Sequence, residues 1–173
     1  MLINVSYSIY FKNIAIVDVF FIAIGFVLRV VTGGIAGDVH LTHWIVLMTF
    51  LLALFLGFAK RLDDVVLFDK YGKIMRKNII TYNKSFLNAI LIITSTMTII
   101  CYIMYTVSDE VIKRFKSDYV YITSLFVILG IFRYLQISIV ENKSSNPTRI
   151  LFIDRFIQIT ILFWICSFIL IIY

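Results

Sequence analysis

Proline is nearly absent: one residue in 173, with 7 glycines and 2 cysteines. So little proline and glycine excludes collagen-like sequence and long linkers. The cysteines, Cys101 and Cys166, sit inside apolar runs without Cys-x-x-Cys spacing, so neither a disulfide framework nor a zinc ribbon is indicated. Charge is also scarce: 15% of residues are Asp, Glu, Lys or Arg. There is no Walker motif, no zinc-protease motif and no Ser/His/Asp set. No basic n-region precedes an early cleavage site, so no cleavable signal peptide is expected.

What fills the chain instead is apolar. The sequence is 61% hydrophobic, with mean hydropathy +0.98, where a soluble domain is nearer half. The apolar residues come in runs of roughly 20, enough to cross a hydrocarbon core of about 30 Å. Runs such as Phe20-Phe21-Ile22-Ala23-Ile24 do not alternate, which excludes a closed barrel. The expected fold is all-α: a polytopic transmembrane helical bundle forming a single domain over 1–173. We expect about five spans, near 13–32, 43–59, 85–107, 119–140 and 151–172. Residues 1–11 are too short to span.

The net charge of +6 reads as loop charge that sets topology, not as a nucleic-acid surface. Lys12, seven cations in 60–84, and Lys143 with Arg149 put ten on one side. The other side has none in 33–42 and three in 108–118 (Lys113, Arg114, Lys116). By the positive-inside rule the 60–84 loop is cytoplasmic and Tyr173 is outside.

Two cations and two carboxylates are then concentrated in Lys60-Arg61-Leu62-Asp63-Asp64, directly after an apolar run. Hard divalent cations take carboxylate oxygens together with substrate phosphates. Asp63 and Asp64 therefore suit Mg²⁺ bridging a diphosphate, with Lys60 and Arg61 on phosphate oxygens. A plainer reading is an interfacial loop with Lys60 and Asp64 paired at helical spacing.

Further charges fall in apolar segments, where a charge is expensive and usually faces the bundle interior. Asp18, Arg133, Asp154 and Arg155 are expected at the depth of Asp63, and Arg29 nearer the outer face. Asp154 and Arg155 could simply cap and anchor the last helix. Tyr82-Asn83 fits either a ligand contact or a helix cap. Gly33-Gly34-Ile35-Ala36-Gly37 reads as a tight turn between helices, since no lysine follows it. His40 and His43 offer too few ligands for zinc.

In combination these stretches resemble a known family. Phe26-Val27-Leu28-Arg29-Val30-Val31-Thr32-Gly33-Gly34, then Leu54 through Asp64, then Tyr82-Asn83 and Phe86-Leu87 are similar to the C-terminal half of the UbiA prenyltransferase superfamily. The nearest branch is that of the decaprenyl-phosphate phosphoribosyltransferases. Tyr7-Ser8, Lys12, Phe132-Arg133-Tyr134, Asn146-Pro147-Thr148 and Asp154-Arg155 fit the same pattern.

The resemblance implies a bundle of about nine helical spans around a cavity open to the cytoplasm and to lipid. It implies two acidic motifs that bind Mg²⁺ and the diphosphate, in an inner-membrane enzyme of cell-wall precursor synthesis. Phosphoribosyl pyrophosphate is then the donor and a polyprenyl phosphate the acceptor. Asp63 and Asp64 fall on the second motif, with Lys60 beside them as a catalytic cation. Arg61, Arg133, Asp154 and Arg155, with Lys12, Tyr82 and Asn83, fall on substrate-binding positions. The first motif, Asn-Asp-x-x-Asp-x-x-x-Asp, has no counterpart here. The expectation is therefore an N-terminally truncated or split enzyme, inactive alone, partnered by an N-terminal half or by further copies of itself. Two other readings are a UbiA-type prenyltransferase with a prenyl diphosphate donor, and a non-enzymatic membrane component.

Overall fold

The computed structural model describes residues 14–39, 41–72, 81–141 and 147–172. The described residues are helical and contain no strand. Helices α1 (Val17–Ala36), α2 (His43–Tyr71) and α3 (Lys84–Thr106) come first. A short α4 (Asp109–Phe115) and a 3₁₀ segment (Asp118–Thr123) lead into α5 (Ser124–Leu135). A π turn (Gln136–Val140) continues α5, and α6 (Pro147–Ile153) and α7 (Arg155–Ile172) close the order. Four helical stretches are long and apolar enough to cross a membrane: α1, α2, α3 and the continuous Asp118–Val140 stretch. α7 is a shorter apolar helix.

α2 is the centre. It packs against α1 on one side and α3 on the other, and also touches the π turn and α6. Thr42 starts it, its side chain accepting from the Ile45 N–H at 3.3 Å. Gly72 stops it at φ +63°, returning its N–H to the Phe68 carbonyl. Only glycine adopts that left-handed turn at little cost. At about 1.5 Å per residue, 29 residues span about 44 Å, well beyond a hydrocarbon core.

The outward faces of the helices are apolar as well as the core. On α3 the buried face carries Thr94, Ser95 and Thr98, while Ile92, Ile93, Met97 and Ile100 are exposed. Lipid is as apolar as a protein core, so apolar faces can point outward and small residues can pack inward. The buried hydroxyls are satisfied within the helix: Thr94 donates to the Ile90 carbonyl at 2.8 Å and Thr98 to the Thr94 carbonyl at 2.7 Å. α1 packs closely on α2 at Gly57, where a Cβ would lie 2.5 Å from Val19 Cγ1.

Four expectations are corrected. Residues 60–71 are not loop but the last turns of α2, because Gly72 is the first residue to break the helix. Gly33 and Gly34 are not a turn but the end of α1, which stops at Ala36. Gly34 is needed for space, since a Cβ there would meet Leu41 Cδ1 at 2.5 Å. The 108–118 segment contains a helix, and the final span is interrupted at Asp154, between α6 and α7.

Candidate functional site

Because the helix runs through 60–71, the charged cluster is presented by a rigid rod. Arg61 to Asp64 lie roughly 27–32 Å along the axis from the start of α2, about the thickness of a hydrocarbon core. They face inward: Arg61 is 1% exposed, Asp63 7% and Asp64 5%. Lys60 is half-buried.

Arg61 is held on two sides. Its Nε donates to Asp18 Oδ2 at 2.9 Å and its Nη2 lies 2.8 Å from the same oxygen. Its Nη1 donates to Asp64 Oδ2 at 3.1 Å, one turn along the same helix. Asp18, fully buried on α1, also accepts from the Tyr82 hydroxyl at 3.3 Å. Tyr82 in turn accepts from the Ile16 N–H at 2.5 Å. A buried arginine costs several kcal/mol in desolvation unless paired in this way. Burial also pushes the Tyr82 phenol up to about 12, against an ordinary 10.0, and neighbouring Asp18 adds to the rise. Tyr82 is therefore a neutral donor at physiological pH.

Asp63 points elsewhere. Consecutive residues are about 100° apart around a helix, so Asp63 turns away from the Arg61 face and lies within electrostatic reach of Tyr134 on α5. Tyr134 is anchored against Phe55 of α2, ring centroids 5.1 Å apart.

A second cluster forms where the π turn meets the break before α7. Arg133 Nη2 donates to Asp154 Oδ2 at 2.7 Å and Nε to the same atom at 3.2 Å. Its Nη1 reaches Gln136 Oε1 at 2.9 Å and Glu141 Oε1 at 3.2 Å. The remaining oxygen of Asp154, Oδ1, caps α7 by accepting from the Ile157 N–H at 3.0 Å. Asp154 is thus both a cap and an ion-pair partner.

The other expected residues divide. Asn83 is the α3 cap: its Oδ1 accepts from the Phe86 N–H at 2.7 Å. Arg155 is exposed. Arg29 is exposed as well and lies over the Phe26 ring at 5.3 Å. Lys12 and His40 lie outside the described residues. The sequence reading left Asp18 without a partner and did not single out Gln136 or Glu141. For Asp18 a signal was present, because it is the only acid in the first apolar run.

Magnesium takes six oxygens in near-octahedral geometry, usually one or two carboxylates with phosphates and water. Among the described residues no group of three or more His, Cys, Asp or Glu could hold a metal. Asp18 and Asp64 are both engaged by Arg61, and Asp63 diverges from Asp64. In this arrangement the described residues do not by themselves fit a magnesium site.

No family model matches the chain. It is similar to three curated relatives, each named decaprenyl-phosphate phosphoribosyltransferase. The protein of Mycolicibacterium smegmatis is 25% identical over 169 residues, covering 94% of this chain and 53% of the relative. That of Corynebacterium glutamicum is 20% identical over 171 residues, covering 99% and 51%. That of Mycobacterium tuberculosis is 21% identical over 164 residues, covering 95% and 53%. The chain spans about half the length of the curated relatives it matches.

Proposed function

We propose that this chain is part of a UbiA-type membrane transferase that moves 5-phosphoribose from phosphoribosyl pyrophosphate to a polyprenyl phosphate. The observation that carries the reading is the buried Arg61–Asp64 turn, in a chain similar along nearly its whole length to relatives bearing that activity in their names. The chain would supply the second of two acidic motifs. The reaction is a displacement at the anomeric carbon: an oxygen of the lipid phosphate forms the new bond as the bond to pyrophosphate breaks. The attacking phosphate is already anionic, so no strong general base is required.

Lys60 and Arg61 are the two cations of this turn, and the Lys60 ammonium would act on a donor phosphate as a compact point charge. Arg61 is committed to two carboxylates, so a phosphate bound there must displace one of them. Magnesium, the cofactor expected with a diphosphate, would draw on Asp63 and Asp64 only together with oxygen ligands beyond these residues. The setting proposed is the inner membrane, with Lys60–Asp64 on the cytoplasmic side.

The test is Asp63→Asn in the complete enzyme, followed by transfer of labelled phosphoribose to lipid phosphate. Transfer should be abolished, and full activity would overturn the assignment. Competition by a prenyl diphosphate would instead favour a prenyl donor. The superfamily's first acidic motif has no counterpart in these 173 residues, so the chain alone should be inactive, and transfer by it would refute that.

A further inference from the structure

α1 is the least enclosed of the four long helical stretches. It packs chiefly on α2, and beyond Ala23 only Gly34 is buried. The rest of that half presents Ile24, Phe26, Leu28 and Ile35 outward, as lipid allows. Arg29 stands in the middle of this surface and is exposed as well.

A lone charge on a lipid-facing surface usually escapes by reaching toward the nearer interface. Arg29 does the opposite. Helical side chains lean toward the helix N-terminus, and the Arg29 guanidinium carbon lies 5.3 Å from the ring centroid of Phe26, one turn back. From Phe26 to the end of α1 at Ala36 the rise is about 15 Å, half the thickness of a hydrocarbon core. The charge is therefore held near mid-membrane. The Phe26 face attracts it but cannot neutralise it. Arg29 makes no ion pair among the described residues. A cation at that depth is expensive unless an acid or backbone carbonyls meet it.

Beside it there is room for a neighbour. Gly25 and Gly33 flank Arg29 at four-residue spacing, on the same stripe of the helix. A Cβ at either would meet nothing within 4 Å, so a second helix can approach closely. A second copy of this chain does not supply the missing acid. In α1 the acid is Asp18, about 12 Å of rise from Phe26. Asp63, Asp64 and Asp69 lie near the far end of α2, Asp118 opens the 3₁₀ segment, and α3 and α7 carry no acid. A parallel copy therefore offers no carboxylate at the depth of Phe26.

We propose that this stripe of α1 binds a transmembrane helix of different sequence, one that carries an aspartate or glutamate near its middle and pairs it with Arg29. The pairing would complete Arg29 as Asp18 completes Arg61 at the other end of the same helix.

The probe is a synthetic helix of about 20 leucine and alanine residues, with a central glutamate or leucine and a dansyl group at one end. The full chain in phosphatidylcholine vesicles supplies the energy-transfer donors, Trp44 and Trp164. The glutamate helix should bind at least about threefold more tightly than the leucine helix, the average worth of one interhelical hydrogen bond in a bilayer. Arg29→Leu should erase that difference, and Arg29→Lys should keep part of it. Gly25→Leu, whose Cβ has open space, should weaken both probes without lowering the chain's own stability in micelles.

Equal binding of the glutamate and leucine helices would overturn the proposal. So would a glutamate preference that survives Arg29→Leu. Self-association of the chain that is lost in Arg29→Leu would also overturn it, by making a second copy the occupant. Neither donor nor acceptor enters this binding, so it stands or falls apart from phosphoribosyl transfer.

Discussion

Arg61 and Asp18 are 43 positions apart and meet at 2.8 Å, with 1% and 0% of their side chains exposed. The pair pins α1 to α2 at the depth of the acidic cluster, and Asp64 and Tyr82 complete its hydrogen bonds.

Removing one partner leaves a buried charge uncompensated. Asp18→Asn and Arg61→Met are each expected to destabilise the protein by about 3–5 kcal/mol. Denaturant unfolding in micelles measures this. The combined Asp18→Leu, Arg61→Met protein should recover part of the loss. Single substitutions costing under about 1 kcal/mol would show that the pair is solvated.

Gly57 is a packing requirement of the α1–α2 contact. Gly57→Ala should cost about 1–3 kcal/mol by overpacking against Val19. Val19→Ala on top of it should restore most of the stability by vacating the clashing Cγ1, whereas Val19→Ala alone should only destabilise.

Tyr82 should give the fold an alkaline limit. Its folded-state pKa is raised, to about 12 from 10.0. The stability it contributes is therefore fully present below pH 10 and is lost as pH rises through about 12. Phenolate absorbance should show a late-titrating phase together with unfolding, part of which is lost in Tyr82→Phe. Tyr82→Phe should be less stable at neutral pH and lack that limb.

Asn83 is a cap. Asn83→Ala should cost about 1 kcal/mol, and Asn83→Asp, which keeps an accepting oxygen, should cost much less. In an assay of the proposed transfer the donor KM should not move. A KM change with unchanged stability would make Asn83 a ligand contact instead.

The membrane class was plain in the sequence, because it depends on run length and composition, and these are local. The apolar runs located α1, α3 and the Asp118–Val140 stretch to within a few residues. The end of α2 was misread because Lys60 to Asp64 looked like a water-exposed loop, and charge density alone does not distinguish a loop from a helix whose charges are paired internally. Gly72 carried the true stop signal, yet glycine marks turns and helix ends alike.

The candidate site was legible as residue types and not as pairings. Asp63, Asp64, Arg133 and Asp154 stood out because charges in apolar surroundings are expensive. Which charge neutralises which is a long-range matter. Asp18 meets Arg61 only because Gly57 lets α1 approach α2, and Arg133 meets Asp154 only because the chain breaks before α7. Composition and run length by themselves determined that this chain is an all-helical membrane bundle. The tertiary structure alone decided that Arg61 is spent on two carboxylates and that Arg133 is shared among Asp154, Glu141 and Gln136. Side-chain direction around a helix and approach between helices are set by packing, and packing is not written in any one stretch of sequence.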